Sequence, residues 1–274
     1  MEKPIGSLNH PTHVDTNPWP PVGAFGVVLM LFGIAVSFSY RIAGITVLVI
    51  AAVIALIGIV GWWRDLVQEA QGDRLPTAQA ASRVHHPDQD MRLGMLLFIA
   101  SEIMFFGAFF AFYFYVRYGA RIWPPPGTPL AVESLTLPGI MTLLLVSSSF
   151  AYTYGEQSLM RGNRLGLLWG LGLTVLLGVS FLLCQAWEWS HSALSIRDGV
   201  FGTAFYMLTG FHGTHVIVGL VFILVNFWRA RMGHFTPTHH FALQCAGWYW
   251  HFVDVVWLLL FFFVLYVPAF MRGA

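Results

Sequence analysis

The chain has 274 residues, 57% of them hydrophobic and only 10% charged, and its mean hydropathy is +0.68. This composition excludes an ordinary soluble domain or a disordered chain and indicates a protein that lies almost entirely in a bilayer. The net charge of +1, from 14 basic and 13 acidic residues, favours neither nucleic acid nor a strongly acidic ligand as a partner.

Residues 1–20 come before any apolar stretch. They carry His10, Asp15 and several prolines, where a cleavable signal would have a basic stretch followed by an apolar core. We therefore expect no cleavable signal, and the distribution of basic residues described below predicts that this N-terminal segment is cytoplasmic.

Seven apolar stretches follow, and each is long enough to cross a hydrocarbon layer of about 30 Å as a helix. None shows the two-residue alternation of a membrane barrel, and in lipid the backbone must satisfy its own hydrogen bonds. The sequence therefore predicts an all-α integral membrane protein with seven transmembrane helices. The stretches cover residues 22–39, 42–63, 93–116, 138–155, 165–190, 200–228 and 241–267.

The spacing of these stretches predicts a two-helix part and a five-helix part. Only Tyr40 and Arg41 separate the first two stretches, so residues 21–63 should form an antiparallel hairpin. The longest polar stretch comes next and predicts a cytoplasmic linker over residues 64–92. A five-helix bundle over residues 93–274 is expected to follow.

Basic residues decide how the helices are oriented. With seven spans, a cytoplasmic N-terminus places nine of the fourteen basic residues on that side and five on the other. We therefore expect the N-terminus in the cytoplasm and the C-terminus in the periplasm. Lys3 is the only lysine, which is typical of a GC-rich bacterial genome, so the bacterial inner membrane is the expected location.

Small residues recur at four-residue spacing in two neighbouring stretches. Ser147, Ala151 and Gly155 lie in the fourth stretch, and Gly166 and Gly170 lie in the fifth. Because small side chains let membrane helices approach closely, we expect tight packing between these two helices and no chemistry there.

One acid lies deep in the third stretch. Glu102 follows Leu93 by nine residues, which places it about 14 Å into the membrane. An ionised carboxylate at that depth costs about 2.5–3.5 kcal/mol, so the group must be neutral, paired or in a wet cavity. Either it handles protons, or it is a neutral acid that forms a hydrogen bond to a neighbouring helix.

Two histidines of the sixth stretch, His212 and His215, are three residues apart and share one helix face. They could ligate a metal or haem, or they could form a polar seam that includes a hydrogen bond to Glu102. The seam is favoured, because no further ligands cluster with them. Asp254 and Glu188 lie nearer the ends of their stretches and are expected to be structural anchors.

An aromatic and basic group closes the second stretch, at Trp62, Trp63 and Arg64. Interfacial anchoring explains this pattern, but so does an anionic lipid whose phosphate meets an arginine. The candidate arginines are Arg64, Arg74 and Arg229. No nucleotide loop, zinc-protease motif or nucleophile elbow occurs, so no covalent chemistry is predicted.

Six segments of the chain, in their order and spacing, resemble subunit 3 of the haem–copper cytochrome c oxidases. Together they span most of the sequence. The segments are NPWP at 17–20, WWRD at 62–65, GMLLFIASE at 94–102, SIRDGVFG at 195–202, TGFHGTH at 209–215 and WYWHFVDVVW at 248–257.

The resemblance implies seven helices, divided into a pair and a group of five by a cleft that holds phospholipids. It implies no haem or copper in this chain, and a complex with oxidase subunits 1 and 2, a small fourth subunit as a further candidate, and cytochrome c as the donor. It also implies support of proton uptake and protection from inactivation during turnover. Glu102 matches the family's carboxyl, and Trp63, Glu69 and Arg229 match its lipid contacts.

The chain departs from the family in the polar linker. Asp73 and Arg74 stand where members often have histidines, which leaves the lipid contact of Arg74 open, and the stretch 76–94 is longer than in mitochondrial members. His85 and His86 in this stretch could collect protons near the surface.

Three rival functions stay open. The equivalent subunit of a quinol oxidase is one, although such subunits commonly have five helices. An independent proton or ion transporter would use Glu102, Glu188 and Asp254, and a membrane haem protein would use histidines of different helices.

Overall fold

The structure, a computed structural model, describes residues 18–72, 87–129, 135–266 and 268. Over these residues the chain is helical, and seven helices are long and apolar enough to cross a membrane. The predicted fold class is therefore confirmed. The helices are α1 Trp19–Ser39, α2 Arg41–Gly72, α3 Pro87–Gly119, α4 Thr136–Met160, α5 Arg164–His191, α6 Gly199–Arg231 and α7 Phe241–Leu260, which continues as a π-helical turn over Phe261–Tyr266.

The helices extend further than the apolar stretches. Helix α2 continues to Gly72 and α3 begins at Pro87, so both ends of the predicted linker 64–92 are helical. Hydropathy marks only the part of a helix that lies in hydrocarbon, whereas backbone hydrogen bonding continues into polar sequence. A proline at the start of α3 is tolerated because the first turn needs no backbone donor there.

The chain divides into two compact units, unit 1 at Met1–Val84 and unit 2 at His85–Ala274. Unit 1 contains the predicted hairpin of α1 and α2. Glycines set the closeness of its two helices: a Cβ on Gly58 would meet the backbone of Gly23, and one on Gly33 would come 3.0 Å from the Leu48 backbone nitrogen. A larger residue at either position would force the helices apart.

In unit 2, α4 and α5 pack at similarly short range. A Cβ on Gly170 would come 2.5 Å from the Cα of Gly155 and 2.7 Å from the carbonyl oxygen of Ala151. The predicted approach of small residues is thus confirmed for these three. Ser147 is exposed, and its neighbour Ser148 lies in the interface, where its carbonyl oxygen accepts from Thr174 Oγ1 at 3.2 Å.

Helix α7 packs against α4, α5 and α6 through two buried tryptophans. The Trp250 ring fills a slot between two glycines, since a Cβ on Gly178 would lie 3.0 Å from Cη2 and one on Gly219 would lie 2.8 Å from Cε3. We call this the Trp250 slot. About two helical turns further on, Trp257 Nε1 donates to Thr142 Oγ1 at 3.0 Å. These contacts hold the helices that carry the polar side chains described below.

We expect Gly170→Ala to destabilise unit 2 by about 1–3 kcal/mol, because the added methyl group would overlap the Gly155 backbone. Gly172→Ala is the matched control on the same helix, where the nearest atom lies 3.7 Å from the added Cβ. Thermal denaturation in mild detergent measures both. Equal denaturation midpoints for the two variants would contradict the packing described here.

Candidate functional site

The centre of the candidate site is a carboxyl–imidazole pair between α3 and α6. Glu102 Oε2 and His215 Nε2 are 3.0 Å apart, and the side chains are 20% and 14% exposed. The hydrogen bond that the sequence suggested is thus present, and it is made by His215. Within the described part of the chain, His215 is the only basic side chain within 4.0 Å of the Glu102 carboxyl oxygens.

The other ring nitrogen of His215 fixes how protons are shared. Nδ1 lies 2.7 Å from the carbonyl oxygen of Phe211, which can only accept, so Nδ1 carries a hydrogen. Nε2 then has two options: it accepts a proton from a neutral Glu102, or it donates as part of an imidazolium to a carboxylate. Both arrangements contain the same number of protons, so the pair holds one shared proton between its two groups.

Aromatic rings surround this pair. The ring of Phe106 meets His215 edge-on with centroids 4.8 Å apart, and the ring of Tyr249 stacks on His215 with centroids 6.4 Å apart. Phe105 packs beside them, against both His215 and Phe211. A low-polarity surrounding strengthens a hydrogen bond and makes an unpaired partner costly. The arrangement can therefore retain a proton in the membrane without a net charge.

His212 forms its hydrogen bond with a different helix, α7. It is fully buried, and its Nε2 donates to the carbonyl oxygen of Val253 on α7 at 3.2 Å. Its ring packs against Trp257 and Phe181, with centroids 5.2 and 5.7 Å away. The two histidines therefore meet different neighbours, although they are only three residues apart.

A second polar cluster, which the sequence did not reveal, joins α4 and α7. Ser149 donates a short hydrogen bond to Asp254 Oδ2, and its Oγ lies 3.0 Å from His251 Nδ1. Thr153 Oγ1 lies 3.4 Å from the other ring nitrogen. Ser149 and Thr153 are four residues apart and His251 and Asp254 three apart, so each pair shares a helix face. Only the packing of α4 on α7 brings the two faces together.

No group of three or more histidine, cysteine, aspartate or glutamate side chains within the described ranges is placed to hold a metal ion. His212 and His215 each use a ring nitrogen on a backbone carbonyl.

The aromatic and basic group at the end of the second span lies in unit 1. Trp62 and Arg64 are exposed and Trp63 is half-buried, at the end of the span Arg41–Asp65. Glu69 lies in the same helix, but its side chain is not among those described. Arg74 lies outside the described residues, as do His85 and His86.

Arg229 lies in unit 2, in the last turn of α6. Its guanidinium carbon is 4.9 Å from the ring centroid of the buried Phe235. This cation–π contact holds the Arg229 side chain near the end of the helix.

The comparisons with known proteins point to one family. The sequence model of the family "Cytochrome c oxidase subunit III" matches residues 10–269. The chain is similar to proteins named "Cytochrome c oxidase subunit 3" from Loxodonta africana and Felis catus, each 39% identical over 93% of this chain and 97% of theirs. The one from Dugong dugon is 40% identical over the same shares.

We expect Glu102→Ala to destabilise the protein by about 1–3 kcal/mol, because it leaves His215 Nε2 without a hydrogen-bond partner. Glu102→Gln should be much milder, since the amide can donate to Nε2. Thermal denaturation of the detergent-solubilised protein measures both, and Ser101→Ala on the exposed side of the same turn is the control. Equal losses for the alanine and glutamine variants would argue against a shared proton.

Proposed function

We propose, because this chain belongs to the cytochrome c oxidase subunit III family, that it supports the reduction of oxygen to water without a redox centre of its own. It is a subunit of an oxidoreductase complex and works with other oxidase subunits. The observation that carries the proposal is the family match over residues 10–269, with relatives covered over 97% of their length.

The proposed complex places haem and copper in the partner subunits. In it the chain packs against the catalytic subunit 1, with subunit 2 and a small fourth subunit completing the assembly, and cytochrome c delivers electrons. The long apolar helices of this chain, with many large apolar side chains at the surface, are suited to neighbours within the membrane.

Support of proton uptake into the catalytic subunit is the proposed role of the polar side chains. Glu102 and His215 hold a shared proton within the bundle, and both side chains are partly exposed. His212 and Asp254 hold α6 and α4 against α7 and so keep this pair in position. Proton pumping itself belongs to the catalytic subunit in this proposal.

Phospholipid binding is the second proposed role. Trp62, Trp63 and Arg64 combine amphipathic rings with a guanidinium at headgroup depth, and this combination suits a lipid phosphate and its upper acyl chains. Arg229, which lies in unit 2, would also bind a lipid phosphate. We assign the same lipid-binding role to Glu69 and Arg74 on the resemblance to the family and on the sequence alone.

The absence of a redox centre is tested on the chain itself. The purified single chain should show no Soret band in its visible spectrum and should not oxidise cytochrome c. A Soret band, or solute transport by the chain alone in vesicles, would overturn the proposal.

We expect Arg229→Gln or Trp63→Ala to lower lipid affinity, roughly fivefold for a contact of about 1 kcal/mol. The initial rate of oxygen consumption should change little, while activity during sustained turnover should decay faster. Phosphorus per haem and the inactivation half-life of the assembled oxidase measure these effects. The matched control is Arg231→Gln, an exposed arginine two residues beyond Arg229. Inactivation half-lives equal to that of the parent would count against lipid binding at these residues.

We also expect the N-terminus in the cytoplasm and the C-terminus in the periplasm of a bacterium, because the fourteen basic residues divide nine to five. Alkaline phosphatase fused after the last residue should therefore be active in cells. The same enzyme fused after residue 162, in the turn between α4 and α5, should be inactive. The reverse pattern would invert the proposed topology.

A further inference from the structure

Helix α5 carries three polar side chains on one face that play no part in the sites described above. Gln185, Glu188 and Trp189 are three and four residues apart, so they are neighbours on the helix surface. Gln185 is 4% exposed and Glu188 is 6% exposed. All three lie within two turns of His191, where α5 ends, and Gln185 is about 9 Å from that end along the axis.

Their polar atoms lack protein partners. Both amide atoms of Gln185, Oε1 of Glu188 and Nε1 of Trp189 are buried and form no hydrogen bond to any described residue. Most buried polar atoms in proteins have a partner, and an unpaired one is costly. His212, Asn226 and Asp254 each have one unpaired atom too, but each also has one atom that forms a hydrogen bond. Gln185 differs from them because neither of its amide atoms is paired.

Burial limits what can occupy this face. A lipid headgroup or a neighbouring subunit does not reach Gln185 and Glu188, which are more than nine-tenths covered by their own chain. The occupant must therefore be small and must enter between the helices.

The chemistry of the atoms narrows the occupant further. Gln185 Nε2 and Trp189 Nε1 are donors, whereas Gln185 Oε1 and Glu188 Oε1 are acceptors. A hard cation such as Mg²⁺ or Ca²⁺ takes about six or more oxygen ligands, and an anion would be repelled by the two acceptor oxygens. Water donates and accepts and typically makes about three hydrogen bonds when buried, so it fits this mixed set.

No basic side chain pairs with Glu188 in the described ranges of the chain. A carboxylate without a counter-ion inside the membrane is disfavoured, whereas a carboxylic acid offers both a donor and an acceptor. The neutral carboxylic acid of Glu188 can therefore both donate a hydrogen bond to water and accept one from it.

We propose that Gln185, Glu188 and Trp189 form a binding site for ordered water inside the five-helix unit, with Glu188 as a neutral carboxylic acid. The site is separate from the Glu102–His215 pair, which lies between α3 and α6. It does not depend on the function proposed above.

A structure of the assembled oxidase at a resolution that shows water tests the proposal without any substitution. We expect density about 2.7–3.2 Å from the side-chain atoms of Gln185 and Glu188. In Gln185→Leu, whose side chain offers no donor or acceptor, this density should weaken or disappear. An empty site, or a side chain of this chain in the place of water, would overturn the proposal.

Infrared spectroscopy of the same complex tests the neutral acid. The difference spectrum of parent and Glu188→Gln should contain a carboxylic acid C=O band that shifts in deuterium oxide. The control is Asp198→Asn, at a loop carboxyl that accepts from the Ser195 backbone N–H, and it should remove carboxylate bands only. Loss of carboxylate bands in Glu188→Gln would show that Glu188 is ionised and overturn its assignment.

Discussion

The polar contacts between the helices of unit 2 follow from one constraint: a polar group inside a membrane must find its hydrogen-bond partner within the protein or in water that the protein holds. Glu102 meets His215 across α3 and α6, His212 meets a carbonyl of α7, and Ser149 of α4 meets Asp254. Each contact joins two helices. Because such groups are few, each one fixes the rotation and the height of one helix against another, and apolar packing alone specifies these poorly.

Close packing supplies the rest of the specificity. Between α4 and α5, Gly155 and Gly170 let the two backbones nearly touch, and the Trp250 slot places one large ring where α5 and α6 have no side chain. Lipid tails are as apolar as leucine, so helices in a membrane gain little from burying apolar surface, and the fit of small against large residues decides which helices pair. The polar contacts and the glycine contacts therefore select the same arrangement.

The number of helices, the hairpin and the close pair α4 and α5 could be predicted from the sequence, because hydropathy and small-residue spacing are local properties. The hydrogen-bond partner of Glu102 could also be predicted from the sequence, since few other polar groups lie at its depth in the membrane. The Ser149, His251 and Asp254 cluster was not, because it depends on which faces two distant helices present to each other. For the same reason the sequence could not show that His212 and His215 meet different helices, nor that Gln185 points inward.

The shared proton of Glu102 and His215 has an electrical consequence. Its transfer from oxygen to nitrogen converts a neutral pair into a dipole and leaves the total charge unchanged. The two atoms are 3.0 Å apart, about a tenth of the hydrocarbon thickness. A membrane potential of 100 mV acts on a full crossing with about 2.3 kcal/mol per charge, so it biases this transfer by at most about 0.2 kcal/mol. The position of this proton is therefore almost independent of the voltage that respiration builds across the membrane.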